Sequence, residues 1–227
     1  MSEVSTTETD VFFDVALSSQ VLSVLAGDIV SVGVIGFSTV SMTISDDDAN
    51  TFSEHPDSPL DTGGFFRVQA WETKIAADNA SYQLTVDFGG ISNVATMKVS
   101  IYRDRAATFE SAEGRSTGTS FVTTFDTPAL AVTGGADAWL FVGTDTNSPG
   151  TLTPASGYSI PTGGGVSSTY YKCFVGIAEA LSAGSSTPSV DGASATLSNA
   201  LAFAFPLASV NTGIAPGMFG SYFQMVQ

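Results

Sequence analysis

Apolar and polar residues alternate one for one along several stretches of this chain. Val40, Met42 and Ile44 stand against Ser41, Thr43 and Ser45; Tyr82, Leu84, Val86 and Phe88 against Gln83, Thr85 and Asp87; Met97, Val99 and Ile101 against Lys98, Ser100 and Tyr102. A period of two places successive side chains on opposite faces, so these runs predict half-buried strands, with one face on a core and the other meeting water or a partner. Residues 11–17, 28–35, 65–71, 120–126, 136–143, 168–178 and 195–205 are apolar on both faces and predict strands covered on two sides. Gly, Ser, Thr, Asn and Pro separate the runs, and the pattern adds up to about ten strands.

Helical periodicity is nearly absent. Residues 177–183 hold helix-favouring Ala, Glu and Leu but continue an apparent strand and stop at Gly184, and the serine-rich 15–25 has room for one turn. Neither is assigned as a helix. Short strands without a βαβ rhythm predict an all-β fold, an antiparallel sandwich or barrel. At 227 residues the chain suits one large sandwich over residues 11–206, after an acidic arm at 1–10 and before an apolar tail at 207–227. The polar stretch 110–118 is read as a crossing within that sandwich, and no internal repeat is aligned.

Charge narrows the partners. Every ionised side chain before Arg67 is a carboxylate, and the formal net charge is −15. That argues against nucleic acid or an anionic membrane surface, both of which attract Lys and Arg. It leaves solubility, or an acidic face that docks on a basic partner. The first ten residues lack the basic and apolar regions of a secretory signal, and the apolar stretch 21–37 is broken by Gly27, Asp28, Gly33 and Gly36, which excludes a membrane-spanning helix. Cys173, the single cysteine, sits in a strand-like run and reads as a small buried hydrophobe.

Candidate chemistry is sparse. Asp46, Asp48, Asn50 and Asp57 fall at positions 1, 3, 5 and 12 of a calcium-loop pattern, which would supply oxygen ligands from one tight turn. Thr51 stands where that loop needs glycine, and the flanks look like strands, so a hydrogen-bonded hairpin turn competes with calcium. A Ser–His–Asp triad would have to use His55, beside Pro56 in a turn, where a solvated loop histidine is expected. Glu72, Asp87 and Asp126 are the acids in strand-like segments; they read as surface carboxylates, and no enzyme is predicted. Trp71, Trp139, Tyr102, Tyr158, Tyr170 and Tyr171 either stack on sugar rings or fill a core. The loop 147–165 is rich in Gly and Pro but lacks the lysine of a phosphate-binding loop. The tail carries Ile214, Met218, Phe219, Tyr222, Phe223, Met225 and Val226, which would cover either its own sandwich or a neighbouring subunit.

The order Gly27-Asp28-Ile29-Val30-Ser31-Val32, then 40–44 leading into Asp46 and Asn50-Thr51-Phe52, is followed by strands at 68–71, 82–86 and 97–102. Leu140-Phe141-Val142-Gly143, Pro154 to Tyr158 and a closing strand at 201–205 come later. Over residues 12–206 this resembles the concanavalin-like jelly-roll modules of tailed-bacteriophage virion proteins and of some bacterial surface proteins. The resemblance implies a single jelly-roll-like sandwich and a non-enzymatic piece of a virus particle: a capsid decoration or cement protein, a head spike or a fibre component. It would sit on the outer surface of the virion, assembled in the host cytoplasm, as a homo-oligomer bound to coat subunits through its termini and sandwich edge. The alternative is a receptor- or carbohydrate-binding module. On either reading the ligand- or partner-binding candidates are Trp139, Tyr158, Phe219, Tyr222 and Phe223.

Overall fold

The computed structural model describes residues 3–37, 41–62, 64–91, 93–105, 109–167 and 170–207. These residues are all-β, with no helix among them. The first half opens with β1 (Glu3–Asp14), β2 (Ala16–Ser18), β3 (Leu22–Val24), β4 (Ile29–Gly36) and β5 (Thr43–Asp46). Two short strands follow, β6 (Ser53–Glu54) and β7 (Leu60–Thr62), and then β8 (Phe66–Lys74), β9 (Asn79–Tyr82), β10 (Leu84–Asp87) and β11 (Asn93–Tyr102). The second half begins with β12 (Ser111–Ser116), β13 (Val122–Asp126), β14 (Leu130–Val132), β15 (Ala136–Thr144) and β16 (Leu152–Pro154). It continues with β17 (Tyr158–Ser159), β18 (Lys172–Leu181), β19 (Gly184–Ser186), β20 (Ser189–Thr196) and β21 (Ser198–Phe205).

The two halves pair their strands in the same order. In the first, a large sheet runs β1-β11-β4-β8-β6, with β7 also on β8, beside a smaller sheet β2-β10-β5 and a ribbon β3-β9. In the second, the large sheet is β12-β21-β15-β18-β17, the smaller one β13-β20-β16 and the ribbon β14-β19. Every pairing is antiparallel. The repeat extends to single residues. Leu22, Val24 and Gly27 lie as far apart as Leu130, Val132 and Gly135, and both glycines take positive φ (91° and 84°), a conformation that glycine adopts without strain. Counting from these glycines, Val32 answers to Leu140. The strand registers then equate Trp71 with Gly176 and Val99 with Ala202.

Four layers of sheet enclose three apolar cores. Leu17, Val86 and Leu84 of the first small sheet pack on Val30, Val32, Val34, Met97 and Val99 of the first large sheet. Phe125 and Val190 pack on Leu140, Val142, Phe174 and Ala202 in the second half. Between the two large sheets lies a third core, in which Ile29, Ile35, Phe66 and Val68 meet Trp139, Phe141, Leu201, Phe203 and Phe205. Covering both faces explains why β4, β11, β15 and β21 are buried along their whole length.

Several expectations change. The single sandwich of about ten strands becomes two sandwich-like halves with twenty-one strands among the described residues. Residues 3–10 are no arm: they form most of β1, paired with β11 from Glu3 opposite Tyr102 onward. The polar stretch 110–118 contains β12, which pairs with β21 and opens the second half. Lys98, Ser100 and Tyr102 are buried as fully as the apolar residues between them, because the face they share is covered by the second half instead of by water.

Candidate functional site

The seam between the large sheets holds most of the buried polar chemistry. Close approach depends on two glycines. A Cβ on Gly33 would lie 2.3 Å from Cγ of Phe141, and one on Gly143 would lie 2.5 Å from Cγ2 of Val68. The Phe141 ring therefore sits flat on the β4 backbone, and Val68 with Ile35 on that of β15. Trp139 stacks between Phe141 and Phe203, at centroid distances of 5.8 and 5.6 Å, and its Nε1 donates to Ser100 Oγ at 3.1 Å. The Ser100 hydroxyl also bonds Thr6 Oγ1 at 2.8 Å.

Lys98 is the buried cation of the seam, 1% exposed. Its ammonium pairs with Glu8, directly opposite on β1, and donates to the carbonyls of Gly163 and Gly165 at 2.8 and 2.9 Å. Three acceptors, one carboxylate from β1 and two carbonyls from the Gly-rich loop, match the three N–H donors of the buried ammonium. The loop comes this close because Gly163 has no side chain: a Cβ there would meet Thr6 O at 2.3 Å. Cys173 lies fully buried nearby, its thiol pushed up to about 12 by burial, so it is inert.

Two titrating groups bridge the halves at the margin of the seam. Both carboxylate oxygens of Glu72 accept from the Phe109 backbone N–H, at 3.2 and 3.3 Å, and burial pushes the acid up to about 7. His55 is buried: Nδ1 accepts from Asp57 N–H at 3.1 Å and Nε2 faces Ala202 O at 3.1 Å. That pairing fits the neutral ring protonated on Nε2, and burial lowers its pKa. The segment that leads from β11 to β12 is anchored to both halves, by Arg103 on Asp28 and by Arg105 on Asp137.

At one end of the seam the halves part to leave an open cleft of about 470 Å³. It is lined by Phe65 from the first half and by Thr119, Phe121, Asp145, Thr146, Tyr170, Tyr171 and Leu197 from the second. The register that equates Trp71 with Gly176 also equates Phe65-Phe66-Arg67 with Tyr170-Tyr171-Lys172, so equivalent positions of the two halves meet here. Tyr171 OH donates to Phe65 O at 2.9 Å, and its ring lies edge-on to Tyr170 at 5.2 Å. Asp145 accepts from Asn147 N–H and Thr196 Oγ1 through Oδ1, at 3.0 and 2.7 Å, and from Asn147 Nδ2 through Oδ2, at 2.8 Å.

The residues singled out from sequence are scattered. Trp139 is 0% exposed in the seam, so no ligand can reach its ring. Tyr158 is half-buried over the second small core, its hydroxyl on Ser186 Oγ at 3.0 Å. Phe219, Tyr222 and Phe223 lie outside the described residues, as does Val40. Asp46 receives Asn50 N–H, Asn50 Nδ2 and Tyr82 OH at 2.8–2.9 Å, Asp48 receives Asn79 Nδ2, and the turn closes on its own neighbours. Asp57 is turned toward β12, where a Cβ on Gly114 would approach its own Cβ to 2.8 Å. Among the described residues no three His, Cys, Asp or Glu side chains gather to hold a metal ion.

The solvated readings of His55 and Glu72 are corrected, since both are 1% exposed, His55 against Ala202 of the second half and Glu72 against Phe109 just before it. Asp126 pairs with Arg115 at the surface, and Asp87 binds Gly89 N–H within its own turn. Of the aromatics, Tyr170 and Tyr171 do reach the cleft; Phe65 and Phe121 were missed. Both follow glycine-containing turns and precede a strand, outside any alternation, which is the signal they offered. Comparison with family models, curated proteins and solved structures returns no match for this chain.

Proposed function

We propose that this chain is a non-enzymatic structural protein of a virus particle of tailed-phage type, a rigid surface component of the decoration, cement or spike kind that binds coat subunits. One observation carries the reading. The buried ionic and polar groups, Lys98 on the Gly163 and Gly165 carbonyls, Arg105–Asp137, Ser100–Trp139 and Glu72 on Phe109, join one half of the molecule to another part of it instead of lining a reaction cleft. Such groups make a stiff block, which suits a body repeated over a particle surface.

Two further points support it. In each large sheet the first strand of the half lies beside its last, followed by the fourth and then by the eighth in the first half and the seventh in the second, an order suited to a jelly roll. Each half is read as one such unit, an architecture common in viral coats; this step is an analogy of fold. The acidic surface would keep neighbouring particles apart by repulsion. Attachment is assigned to the segment after Leu207 and to the sheet edges, where modest contacts gain strength by avidity.

Antibodies to the purified chain should label intact particles from its source, and the chain should co-sediment with coat subunits in a fixed ratio. Truncation after residue 213 should lower that occupancy while leaving the Tm of the isolated chain unchanged. Labelling confined to cell envelopes, with bare particles, would overturn the proposal.

A further inference from the structure

Among the described residues exposed aromatic rings are few, and they are not scattered. Among the described residues the exposed large apolar side chains include three rings, Phe65 at 58%, Phe121 at 60% and Tyr170 at 54%. All three line the cleft at the end of the seam. Leaving three rings in water is costly, and their convergence on one concavity marks a contact surface more clearly than a single exposed ring would. The cleft volume falls within the range of small-molecule sites.

The polar groups around the rings narrow the occupant. Asp145 already accepts three hydrogen bonds, two at Oδ1 and one at Oδ2, and a carboxylate has about four acceptor sites, so Oδ2 retains capacity. Thr119 and Thr146, both exposed residues, line the same cleft. Among the described residues no Lys, Arg or His lines the cleft, and the chain carries −15 overall, so an anionic ligand meets repulsion without a counter-charge. An uncharged molecule with flat C–H faces for the rings and hydroxyl donors for the carboxylate fits these features together.

We propose that the cleft formed by Phe65, Phe121, Tyr170 and Asp145 is a binding site for a neutral saccharide. This goes beyond the coat role, which needs no sugar, and it fails or stands independently of it.

The test titrates the full chain with uncharged oligosaccharides of glucose, mannose, galactose and N-acetylglucosamine. Sialylated and sulfated glycans and a synthetic peptide of residues 208–227 serve as competing probes. Binding is read by calorimetry and by NMR shifts of the cleft residues. At least one neutral oligosaccharide should bind, Tyr170→Ala and Phe121→Ala should each weaken it about tenfold or more, and Tyr170→Phe should keep it. Ile91→Ala, at an exposed apolar residue that does not line the cleft, should change nothing. Silence across the neutral panel, affinity unmoved by the Phe121 and Tyr170 truncations, preference for the anionic glycans, or binding of the peptide alone would each overturn the proposal.

Discussion

The two large sheets have one topology and opposite seam chemistry. At equivalent positions the first half offers Ser31, Gly33, Lys98, Ser100 and Glu72, and the second offers Trp139, Phe141, Leu201, Phe203 and Ile177. One face supplies hollows and hydrogen-bonding groups; the other supplies rings. Two faces of the first kind would bury Lys98 and Glu72 without apolar cover, and two of the second would set ring against ring. Complementary divergence of a repeated unit thus favours pairing of unlike halves within one chain over pairing of like halves between chains.

The sharpest way to break this comparison is to spoil its shape. Trp139→Ala should cost about 3–5 kcal/mol by leaving a cavity between Phe141 and Phe203. Gly33→Val should cost about 3 kcal/mol by forcing a methyl-bearing carbon into the Phe141 ring, and Phe141→Leu in the same chain should recover part of it. Midpoints of urea unfolding measure both. A loss under about 1 kcal/mol for either variant would mean that the halves do not pack through these faces.

Glu72 and His55 sharpen the comparison through pH, with opposite signs. Burial holds the Glu72 carboxyl up to about 7 when folded, against an ordinary value of 4.5. The unfolded chain therefore releases its proton first, and stability is lost as pH rises from 4.5 to about 7, by on the order of 3 kcal/mol. His55 is lowered from 6.5, so its contribution is present above 6.5 and is lost as pH falls through the lowered folded value. Glu72→Gln should flatten the fall on the alkaline side, and His55→Gln the loss on the acid side. Unfolding midpoints from pH 4 to 9 separate the two, and identical profiles for Glu72→Gln and the parent chain would refute the buried-acid account.

Lys98→Met comes next. It leaves Glu8 and two glycine carbonyls at the seam without their cation and should cost about 2–3 kcal/mol, less than breaking a fully dry pair because Glu8 keeps a side-chain exposure of 26%. The double variant Lys98→Met, Glu8→Gln should be less damaged than the sum of its single changes, as a thermodynamic cycle would show.

How much of this was legible follows from the same residues. Met97, Val99 and Ile101 announced a strand, and Asp46 with Asn50 a self-closing turn, because both signals are local. Lys98 and Ser100 read only as a face meeting water or a partner because the groups that cover them, Gly163, Gly165 and Trp139, lie far along the chain. The repeat was hidden for a related reason. The halves differ at the seam, Ser31 against Trp139 and Gly33 against Phe141, and Leu22-x-Val24-x-x-Gly27 with its later counterpart, and Phe65-Phe66-Arg67 with Tyr170-Tyr171-Lys172, remain as visible echoes. The cleft could not be read at all, since it exists only where two halves meet.

The smallest expected effect separates the cleft from the seam. Phe203 and Phe121 are the same residue type in the same half, one 0% exposed against Trp139 and His55, the other 60% exposed beside Asp145. Phe203→Ala should cost about 3–5 kcal/mol, whereas Phe121→Ala should stay within about 0.5 kcal/mol of the parent. A ring that stabilises nothing where it stands is free to serve a ligand. If Phe121→Ala lowers stability by more than about 1 kcal/mol, that ring belongs to the packing of the second half, and the cleft is a by-product of how the strands end.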